Sequence, residues 1–598
     1  MSNLSKIRRD KMIEFLETLK EQHSDDESLI AINQIEKELV SKRYGLVWEE
    51  HEEAVDVMMR ENIPIFTEVR EKEITMCPNE PYNFLLEGDN LHSLYLLEKT
   101  HSARIDVIYI DPPYNTGSKD FKYNDSFVDK QDGYRHSKWI SFMEKRLRIA
   151  KKLLSIQGVI FISIDDNEEA TLKLLCDEIF GEECFASNIS WQRTYSPRND
   201  SKGLSAEVEH ILVYSNRPNW MPQKLKRTDK MNSIYKSPDN DPKPWTSSSV
   251  TAPSASTHQG MVYAIQHPFT GELMYPTNGR CWALGQEQML ENLNCWARYK
   301  LVELNDAERR ASICGVSVDN VRRGVCGIIL DQELEEAKEH AKEVLQKGNW
   351  PYFYFTNNGK GGIRRKTYLD EMDGRMPTNY WPFTEVGHTD GAKKELKAIF
   401  NGSIPFDTPK PIALIERILE IASSNDSIIL DFFAGSGTTA HAVMKYNLYH
   451  EDSHRKFILC TNNENNICEN VTYTRICTVM NGYAKEKGIP SNLKYYRTTS
   501  ISKTKEYLAD TLLNHVTEMI QLEHGIKIDD NSYIIIMSDD EADELEKRWS
   551  EYNEVKAIYV SQDVLLTASQ EALFGTVDMY MIPDYYFDFE LREAGELW

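Results

Sequence analysis

The sequence predicts an α/β protein built on a parallel sheet with crossover helices, and three observations support that prediction. Short apolar runs rich in β-branched residues alternate with segments of helical periodicity between residues 83 and 190. The same alternation returns between residues 406 and 500. The chain has 598 residues, 41% hydrophobic and 27% charged, which is a globular composition on a chain too long for one core of about 250–300 residues.

The predicted elements divide the chain into five regions, of which the first three differ in character. Residues 1–60 are predicted to be helical, because apolar side chains recur at helical spacing on both sides of a turn at residues 23–26. Residues 61–190 contain apolar strands at 83–86, 105–110 and 158–164 and a helix at about 136–155. Residues 191–405 are richer in Pro, Ser, Asn, Gly and aromatic residues, with a helix at 332–346.

The last two regions return to regular alternation. Residues 406–500 contain a helix at 414–422, a strand at 427–433, a helix at 438–446 and a strand at 456–460. Residues 501–598 contain strands at 533–537 and 557–560 around an acidic helix at 539–550. This pattern predicts a small C-terminal α/β domain.

The composition argues against a membrane protein and a secreted protein. No segment approaches the roughly 18 consecutive apolar residues of a membrane span, and the charged N-terminus lacks the apolar core of a signal peptide. The ten cysteines include no C-x-x-C pair, so their spacing predicts neither a disulfide framework nor a zinc site. We therefore expect a cytoplasmic protein with buried thiols and no metal.

The charge is concentrated at the two ends of the chain. The formal net charge of -25 by itself disfavours a nucleic-acid binder. However, residues 1–100 hold 12 basic and 22 acidic residues and residues 501–598 hold 7 and 22, so residues 101–500 are neutral. The charge therefore predicts which parts of the chain lie away from DNA, and it does not exclude DNA binding by the middle.

A glycine turn follows the predicted strand at 427–433. Residues 435–440, Gly-Ser-Gly-Thr-Thr-Ala, place a G-x-G-x-x-A pattern between a strand and a helix. Glycines allow close approach of a ligand to the backbone, and a helix N-terminus offers unpaired N–H groups. Asp431 can face a cationic group, and Glu464 can take two ribose hydroxyls. The pattern predicts an adenosine-type cofactor, although a structural turn or a nicotinamide-dependent oxidoreductase would use similar elements.

A second turn, Asp111-Pro112-Pro113-Tyr114, ends the predicted strand at 105–110. Proline cannot donate to a sheet, so the strand stops here, and the fixed φ angles hold the Asp111 and Pro112 acceptors at one place. The alternative is a purely structural, rigid loop in which the Asp111 side chain is hydrogen-bonded within the protein. The position at the carboxyl end of a parallel strand, where such sheets bind ligands, favours a functional role.

Methylation of an exocyclic amino group requires this combination of residues. The lone pair of such an amine is delocalised into the aromatic ring, so the nitrogen is a poor nucleophile. Two acceptors on its N–H bonds return electron density to nitrogen and favour the tetrahedral geometry of attack. Tyr114 can stack on the base once the base has left the duplex. A sulfonium methyl group would then be transferred directly, with much of the rate enhancement coming from orientation.

Together the two turns resemble those of the amino-DNA methyltransferases of the β arrangement, in which the catalytic motif precedes the cofactor motif. Residues 86–91 (Leu-Glu-Gly-Asp-Asn-Leu) and residues 408–411 (Thr-Pro-Lys-Pro) are similar to two further elements of that family. Residues 111–117 and 461–465 most resemble the modification subunits of Type III restriction–modification systems. The resemblance covers about 83–190 and 405–480.

The resemblance implies a Rossmann-like, S-adenosylmethionine-dependent methyltransferase sheet in circularly permuted motif order. It places the catalytic half in residues 61–190, an inserted target-recognition domain in 191–405 and the cofactor half in 406–500. It assigns catalysis to Asp111, Pro112, Pro113 and Tyr114. It assigns binding of S-adenosylmethionine to Asp431, Phe432, Phe433, Ala434, Gly435, Gly437, Thr438, Glu464, Asp89, Asn90 and Lys410. Glu464 lies later after its strand than the family pattern places its acidic residue.

The implied activity is methylation of the adenine N6 amino group in duplex DNA through base flipping. The nearer alternative is N4-cytosine methylation, although those enzymes more often carry Ser in place of Asp111. Another alternative is a recognition subunit that recruits a restriction nuclease. The chain has no G-x-x-x-x-G-K-[ST] loop for ATP, so an ATP-driven nuclease would be a separate subunit. The family also implies a homodimer, in which the acidic C-terminal domain is either the dimerisation region or a solvated appendage.

Two basic clusters between residues 191 and 405 are candidates for phosphate contacts, with solvated surfaces as the equal alternative. One surrounds Trp220 and the other lies in a glycine-rich setting; their members are Arg217, Lys224, Lys226, Arg227 and Lys230, and Lys360, Arg364, Arg365 and Lys366. Trp191, Trp245 and Trp282 are expected in small cores rather than stacked on bases.

Overall fold

The computed structural model of the protein describes residues 4–23, 25–40, 48–78, 80–117, 121–123, 126–196, 203–528, 532–552 and 555–596. The chain divides into two compact units. The larger unit consists of Met1–Gln223 and Pro377–Trp598, and the smaller unit consists of Lys224–Met376.

A mixed sheet forms the centre of the larger unit. Among the described residues its strands are β1 (Asn62–Glu68), β2 (Ile74–Thr75), β3 (Asn83–Glu87), β4 (Ile105–Ile110), β5 (Leu154–Ile164), β6 (Phe185–Gln192), β7 (Val208–Ser215), β8 (Tyr380–Trp381), β9 (Ile428–Asp431), β10 (Lys456–Thr461) and β11 (Asn492–Ser502). Their order in space is β1-β11-β3-β10-β9-β4-β5-β7-β6-β8, and β2 pairs with β11.

The strands from β11 to β5 run parallel to one another. Parallel strands need crossover connections and are covered on both faces, which explains their nearly continuous apolar sequences. Strand β4, for example, is buried at five of its six positions. The sequence prediction of a parallel α/β sheet is therefore confirmed, and the strands predicted at 105–110 and 456–460 agree with β4 and β10 to within one residue.

The helices of the larger unit lie before, between and after these strands in the chain. They are Leu4–Gln22, Asp26–Val40, Ala54–Glu61, Asn90–His101, Arg135–Leu153, Glu169–Phe180, Phe383–Val386, Thr389–Ile399, Ile412–Ala422, Thr438–Tyr449, Thr474–Asn481, Leu508–Leu513, Val516–His524, Asp539–Arg548, Ala568–Phe574 and Asp584–Ala594. The predicted N-terminal helical hairpin corresponds to the first two of them. Among the described residues, none of the helices has both the length and the apolar character of a membrane span.

The parallel register brings the ends of four central strands to one edge of the sheet. Thr461 of β10 pairs with Glu87 of β3, and Leu459 of β10 pairs with Asp431 of β9. Leu430 of β9 pairs in turn with Ile108 of β4. The residues that follow β3, β4, β9 and β10 therefore share the carboxyl edge, where parallel sheets bind ligands.

The separate unit in the structure, Lys224–Met376, is shorter than the irregular region predicted at 191–405. Strands β6 and β7 pair with each other along Phe185–Gln192, β7 also pairs antiparallel with β5, and β8 adds beside β6. Residues 191–223 and 377–405 consequently belong to the larger unit. Their apolar runs are short and interrupted by loops, so the sequence pattern did not distinguish them from the inserted unit.

The smaller unit is built from small sheets and helices around its own aromatic core. Its described strands are Trp245–Ser248, Thr251–Pro253, Ile265–Gln266, Leu273–Met274, Arg280–Trp282, Tyr299–Val302, Gly327–Leu330, Phe353–Phe355 and Ile363–Tyr368, and its principal helices are Gln286–Leu293, Ala307–Cys314 and Leu334–Lys347. Trp245, Trp282 and Trp296 are buried in that core. The expectation that Trp245 and Trp282 are core residues is confirmed.

The acidic C-terminal region forms a three-stranded parallel sheet of β12 (Tyr533–Ile536), β13 (Ala557–Ser561) and β14 (Asp578–Ile582). The acidic helix Asp539–Arg548 connects the first two strands, as the alternation predicted. Tyr559 and Ile582 pack into the main core of the larger unit, whereas Ile558 and Val560 face a smaller cluster. The region is therefore an extension of the larger unit, because one face of its sheet is buried against that unit.

Candidate active site

The turn Asp111-Pro112-Pro113-Tyr114 lies at the carboxyl end of β4, where the sequence places it. The indole Nε1 of Trp139 donates a 2.7 Å hydrogen bond to the Pro113 carbonyl, and Trp139 is fully buried. This bond holds the turn against the helix Arg135–Leu153. The side chains of Asp111 and Tyr114 are half-buried, so both reach the surface of the carboxyl edge.

The ammonium group of Lys410 lies at the centre of this turn. Its Nζ donates to Asp111 Oδ1 and to the Tyr114 hydroxyl, both at 2.7 Å. The Tyr114 hydroxyl also donates to Asp111 Oδ1, at 2.8 Å. The resemblance assigns Lys410 to the cofactor, whereas the structure places its ammonium on the catalytic turn. Its backbone carbonyl accepts a 3.3 Å hydrogen bond from Thr438 beside the glycine turn, so the residue touches both motifs.

Glu209 completes the cluster and was missed by the sequence analysis. Its Oε2 lies 3.3 Å from Lys410 Nζ and 3.3 Å from the Tyr114 hydroxyl. Arg193 donates to its other oxygen. The only sequence signal is an acidic residue near the start of the apolar strand β7, a pattern that also fits a strand end exposed to solvent. Only the pairing of β7 beside β5 brings Glu209 to the catalytic turn.

Burial and charge oppose each other in this cluster. Burial raises the pKa of Asp111, and the neighbouring carboxylate Glu209 raises it further, while Lys410 acts to lower it. Burial acts to raise the pKa of Glu209 as well, but the positive charges of Lys410 and Arg193 outweigh burial and hold this pKa below its ordinary value. Burial acts to lower the pKa of Lys410, and the two carboxylates outweigh it, so that this pKa is raised. The ammonium therefore stays charged and compensates the half-buried carboxylate of Asp111 and the buried carboxylate of Glu209.

The glycine turn follows β9 directly, as predicted. Gly435 and Gly437 have φ angles of 49° and 74°, in the left-handed region that favours glycine. Gly437 caps the N-terminus of the helix Thr438–Tyr449. Phe432, Ala434 and Thr438 are buried and Phe433 is half-buried. The turn therefore passes through two left-handed glycines directly into a helix N-terminus.

Asp431 is buried at the base of this turn. Its Oδ1 accepts a 3.0 Å hydrogen bond from the Phe433 N–H and its Oδ2 accepts a 2.6 Å bond from the Thr439 hydroxyl. Burial raises its pKa to about 7, and the nearby charge of Asp111 adds to the effect. No cationic side chain contributes to that pKa among the described residues. A carboxyl group in such surroundings is stabilised in its charged form by a cationic ligand.

Arg475 supports the glycine turn through buried hydrogen bonds, and no sequence pattern indicated this residue. Its Nη1 donates to the Ser436 carbonyl at 3.2 Å and to the Thr438 hydroxyl at 2.9 Å. The Thr472 hydroxyl donates to the Gly435 carbonyl at 2.7 Å. Both side chains are buried in the segment after β10. The conformation of the turn therefore depends on residues about 35 positions further along the chain.

Asp89 and Asn90 link the segment after β3 to the glycine turn. The Asn90 amide donates a 2.8 Å hydrogen bond to the Phe432 carbonyl, and Asp89 caps the helix Asn90–His101. Arg146 donates to the Asn90 Oδ1 at 2.6 Å and forms two bonds to Glu53 at 2.9 and 3.1 Å. Arg146 and Glu53 are buried supports that the sequence analysis missed.

Glu464 lies in a single helical turn, Glu464–Asn466, that follows β10. It is exposed, and the backbone of Asn465 beside it is left-handed, with a φ of 52°. Strand β10 is the immediate neighbour of β9, so Glu464 follows a strand end at the same edge as the glycine turn. Its predicted role toward ribose hydroxyls stays a prediction.

The basic clusters separate into buried and exposed members. Lys366 is fully buried, with its Nζ 2.6 Å from Asp239 and 2.6 Å from Asp241, so it is a structural cation of the smaller unit and its expected phosphate contact is corrected. Burial follows from its inward position on the strand Ile363–Tyr368. Lys360 is exposed, and Lys224 pairs with Asp373 at the surface.

The donor set at the carboxyl edge fits S-adenosylmethionine. Among the described residues no cationic side chain acts on the pKa of the buried Asp431 carboxyl, which suits a sulfonium and ammonium ligand, and the two left-handed glycines carry no side chain. Asp89 and Glu464 follow the two strands beyond β9 on its cofactor side. Asp111 and Tyr114 follow β4 on the other side.

A family model and a solved structure of a known protein match this chain. The DNA methylase family of N6 and N4 methyltransferases matches residues 105–275 and 329–472, which together are more than half of the chain. The PvuII DNA methyltransferase, cytosine-N4-specific, has a solved structure that covers 64% of this chain and 84% of its own, with 11% identity and a TM-score of 0.29.

Among curated relatives, the chain is 34% identical over 413 residues to the Type III restriction-modification enzyme StyLTI Mod subunit of Salmonella typhimurium, covering 65% of this chain and 53% of the relative. It is 29% identical over 460 residues to the EcoP15I Mod subunit of Escherichia coli, covering 70% and 65%. It is 31% identical over 384 residues to the Type II methyltransferase M.KpnI of Klebsiella pneumoniae, covering 63% and 79%.

The chain thus spans between half and two thirds of the length of the two Type III relatives. The family match includes both the catalytic turn after β4 and the glycine turn after β9. On this match and this geometry, the chain belongs to the N6_N4 methyltransferase family of DNA methylases.

Proposed function

We propose that the protein transfers a methyl group from S-adenosylmethionine to the N6 amino group of adenine in duplex DNA. The observation that carries the proposal is the placement of Asp111 and Tyr114 beside the glycine turn, at one edge of the sheet, in a chain of the DNA methylase family. The Type III relatives and the D-P-P-Y sequence support adenine over cytosine.

The residues of the catalytic turn activate the target amine. Asp111 accepts a hydrogen bond from one N–H of the amino group, and the Pro112 carbonyl accepts a hydrogen bond from the other. These two bonds draw the nitrogen lone pair from the aromatic ring back to the nitrogen. The ring of Tyr114 stacks on the extrahelical base and fixes its plane. After the new N–C bond forms, the cationic nitrogen gives up one of these protons to Asp111 and then to solvent. The orientation of the amine by these groups supplies much of the rate enhancement.

The residues of the glycine turn hold the methyl donor. When bound, S-adenosylmethionine supplies a methyl group on a cationic sulfur, and the C–S bond breaks as the N–C bond forms. Asp431 would face its positive charge, and Phe432, Phe433, Ala434, Gly435, Gly437 and Thr438 would form the backbone cradle. Asp89, Asn90 and Glu464 lie toward the adenosine, and the main chain of Lys410 closes the cradle against Thr438.

The experiment is a methyl-transfer assay with mass analysis of the product nucleosides. Purified protein is incubated with deuterated S-adenosylmethionine and genomic DNA from a strain without adenine methylases, and the DNA is digested to nucleosides. We expect labelled N6-methyldeoxyadenosine from the wild type and none from Asp111→Ala. Asp426→Ala is the matched control, because Asp426 is an exposed aspartate at the opposite, amino end of β9. Labelled N4-methyldeoxycytidine would establish the cytosine alternative, and no label in either nucleoside would refute methylation of DNA.

The Type III relatives favour a second, additional role as the modification subunit of a restriction complex. We propose that the protein works in the cytoplasm as a homodimer, that the smaller unit recognises the target sequence, and that a separate ATPase and nuclease subunit joins it. Affinity purification of the tagged chain from its host would identify that subunit, and light scattering at micromolar concentration would give the mass. A monomeric mass, or weak methylation by the complex with strong DNA cleavage, would change this assignment.

A further inference from the structure

The buried contacts of Asp111 use only one of its two carboxylate oxygens. Both hydrogen bonds to Asp111, from Lys410 Nζ and from the Tyr114 hydroxyl, end on Oδ1. Among the described residues no donor bonds to Oδ2. An anchored oxygen fixes the plane of the carboxylate, and the other oxygen then points from a defined position. The geometry separates a structural oxygen from an oxygen that is available to a ligand.

Lys410 is itself held on several sides. Its Nζ contacts Asp111, Tyr114 and Glu209, and it lies 5.0 Å from the ring centroid of Tyr114 and 5.7 Å from that of Trp191. Trp191 is fully buried and its indole donates to the Gly387 carbonyl at 3.1 Å. Aromatic faces stabilise a neighbouring ammonium group and exclude water from it. The position of Lys410 is therefore determined by the fold before any ligand binds.

We propose that Lys410 and Glu209 are a positioning pair for the catalytic carboxylate. Lys410 anchors Asp111 through Oδ1 and leaves Oδ2 for the target amino group, and Glu209 holds the ammonium of Lys410 in that place. The inference rests on the proposed methyltransferase function and extends it to two residues outside the D-P-P-Y turn. It also gives the side chain of Lys410 a role at the amine rather than at the cofactor.

The charge balance explains why two residues are needed. Asp111 must be ionised to take up a proton from the methylated nitrogen, and a carboxylate is a stronger hydrogen-bond acceptor than a carboxylic acid, but burial and the charge of Glu209 favour its neutral form. Lys410 supplies the opposing positive charge at hydrogen-bond distance. Without Glu209, the ammonium would have fewer acceptors in this buried place; without Lys410, two buried carboxylates would face each other. Removing one partner of a buried pair is more harmful than removing both.

Other ionisable groups around the pair contribute from several elements. The charge of Asp111 acts on Tyr109 of β4 and on Asp431 of β9, raising the pKa of each, and Arg193, after β6, donates to Glu209. The charge of Glu209 also contributes to raising the pKa of Asp165, which follows β5. None of these is bonded to Asp111 among the described residues, so Lys410 is the cation that acts on it most directly.

The test compares Lys410→Met, Glu209→Gln and the double variant with the wild type. Single-turnover rates of methyl transfer are measured between pH 5.5 and 9.5 with saturating DNA and S-adenosylmethionine. The acid limb of this profile, where the rate rises with pH as a group loses its proton, then reports the pKa of the Asp111 carboxyl in the complex. We expect Lys410→Met to move the acid limb to higher pH by about 1–3 units, the usual effect of an adjacent opposite charge. Adding Glu209→Gln removes the remaining like charge and should move the limb part of the way back.

Calorimetry of S-adenosylmethionine binding without DNA provides a second readout. We expect the affinity of Lys410→Met to stay within about twofold of the wild type, whereas a cofactor role for the side chain predicts a loss. Lys410→Arg keeps the charge and should keep the position of the acid limb at a lower rate.

Three outcomes would overturn the inference. In the first, the rates of the variants fall equally at every pH and the acid limb does not move. In the second, the acid limb of the double variant lies at higher pH than that of Lys410→Met. In the third, Lys410→Met loses much of its affinity for S-adenosylmethionine. If Lys410→Met fails to fold, Glu209→Gln alone decides, since its limb should move to lower pH. A wild type that transfers no methyl group would refute the proposed function itself, and an active wild type with an unmoved limb would refute only the positioning pair.

Discussion

The side-chain amide of Asn90 donates a 2.8 Å hydrogen bond to the backbone carbonyl of Phe432, although 342 positions separate the two residues in sequence. The bond connects the segment after β3 with the glycine turn after β9. Arg146 holds the same amide from the other side through Oδ1. One asparagine thus links two motifs that lie on opposite sides of the smaller unit in the chain.

This relationship predicts the effect of removing the amide. Asn90→Ala leaves the Phe432 carbonyl and the Arg146 guanidinium without their partner, which should lower the free energy of unfolding by about 1–3 kcal/mol. It should also weaken binding of S-adenosylmethionine, because the turn loses a support. Urea denaturation and calorimetry measure the two effects. Asn514→Ala is the control, since Asn514 is an exposed residue whose amide donates to the Asp510 carbonyl one helical turn earlier. Equal behaviour of the two variants would contradict the prediction.

The left-handed conformation of Gly437 predicts that a side chain is harmful there. A Cβ at this position would lie 3.2 Å from the Thr472 Cγ2, and the φ of 74° disfavours any other residue by about 1–2 kcal/mol. We expect Gly437→Ala to lose stability and cofactor affinity together. Gly595→Ala is the matched control, with a φ of 76° and no atom near its Cβ. That control should lose similar stability while binding S-adenosylmethionine normally; a loss of binding in both would indicate a general folding defect.

The raised pKa of Asp431 predicts a pH-dependent stability of the free protein. Its value of about 7 lies above the ordinary 3.8 of the unfolded chain, so the folded protein holds a proton that the unfolded chain releases. Its contribution to the free energy of unfolding is therefore present at low pH and is lost as pH rises from about 4 through about 7, by about 1.4 kcal/mol for each unit of pKa difference.

Asp431→Asn lacks this titration and provides the measurement. We expect its stability relative to the wild type to improve between pH 5 and pH 8 in urea denaturation without cofactor. The exposed Asp426→Asn, at the other end of β9, should follow the wild type. Parallel curves for wild type and Asp431→Asn would show that this carboxyl group does not titrate in that range.

The two roles within the second basic cluster can be separated by substitution. Lys366→Met leaves Asp239 and Asp241 buried without their cation, and should lower the stability of the smaller unit by about 3–5 kcal/mol. Lys360→Met changes an exposed residue and should leave stability unchanged. If Lys360 contacts a phosphate, its loss should reduce the slope of log affinity against log salt by about 0.9 in a DNA-binding titration. An unchanged slope would place Lys360 on a surface away from DNA.

Much of the site could be predicted because local sequence determines it. The D-P-P-Y turn and the glycine turn are short segments whose conformations follow from proline and glycine, and each follows an apolar strand that is visible in the sequence. Their location at strand ends, and the residues Asp111, Tyr114, Asp431 and Gly437, could therefore be identified before the structure.

The supporting residues could not be predicted in the same way. Glu209, Arg146 and Arg475 belong to no local pattern, and each contacts a motif from a different strand or helix. Arg193 acts through its bond to Glu209. The boundaries of the inserted unit were also placed too widely, because β6, β7 and β8 are short strands among loops. Lys366 looked like its basic neighbours in sequence, and only the side of the strand on which it lies shows that it is buried.

The sequence by itself determined the family, the alternation of strands and helices, and the positions of the D-P-P-Y turn and the glycine turn, since these depend on residues close together in the chain. Only the tertiary structure decided that the ammonium of Lys410 lies on Asp111 and that Glu209 lies beside it. The physical reason is that the partners of a buried charge are set by three-dimensional position. The order of strands brings β7, the segment before the helix Ile412–Ala422 and the end of β4 together, and the ammonium of Lys410 there compensates the charges of Asp111 and Glu209.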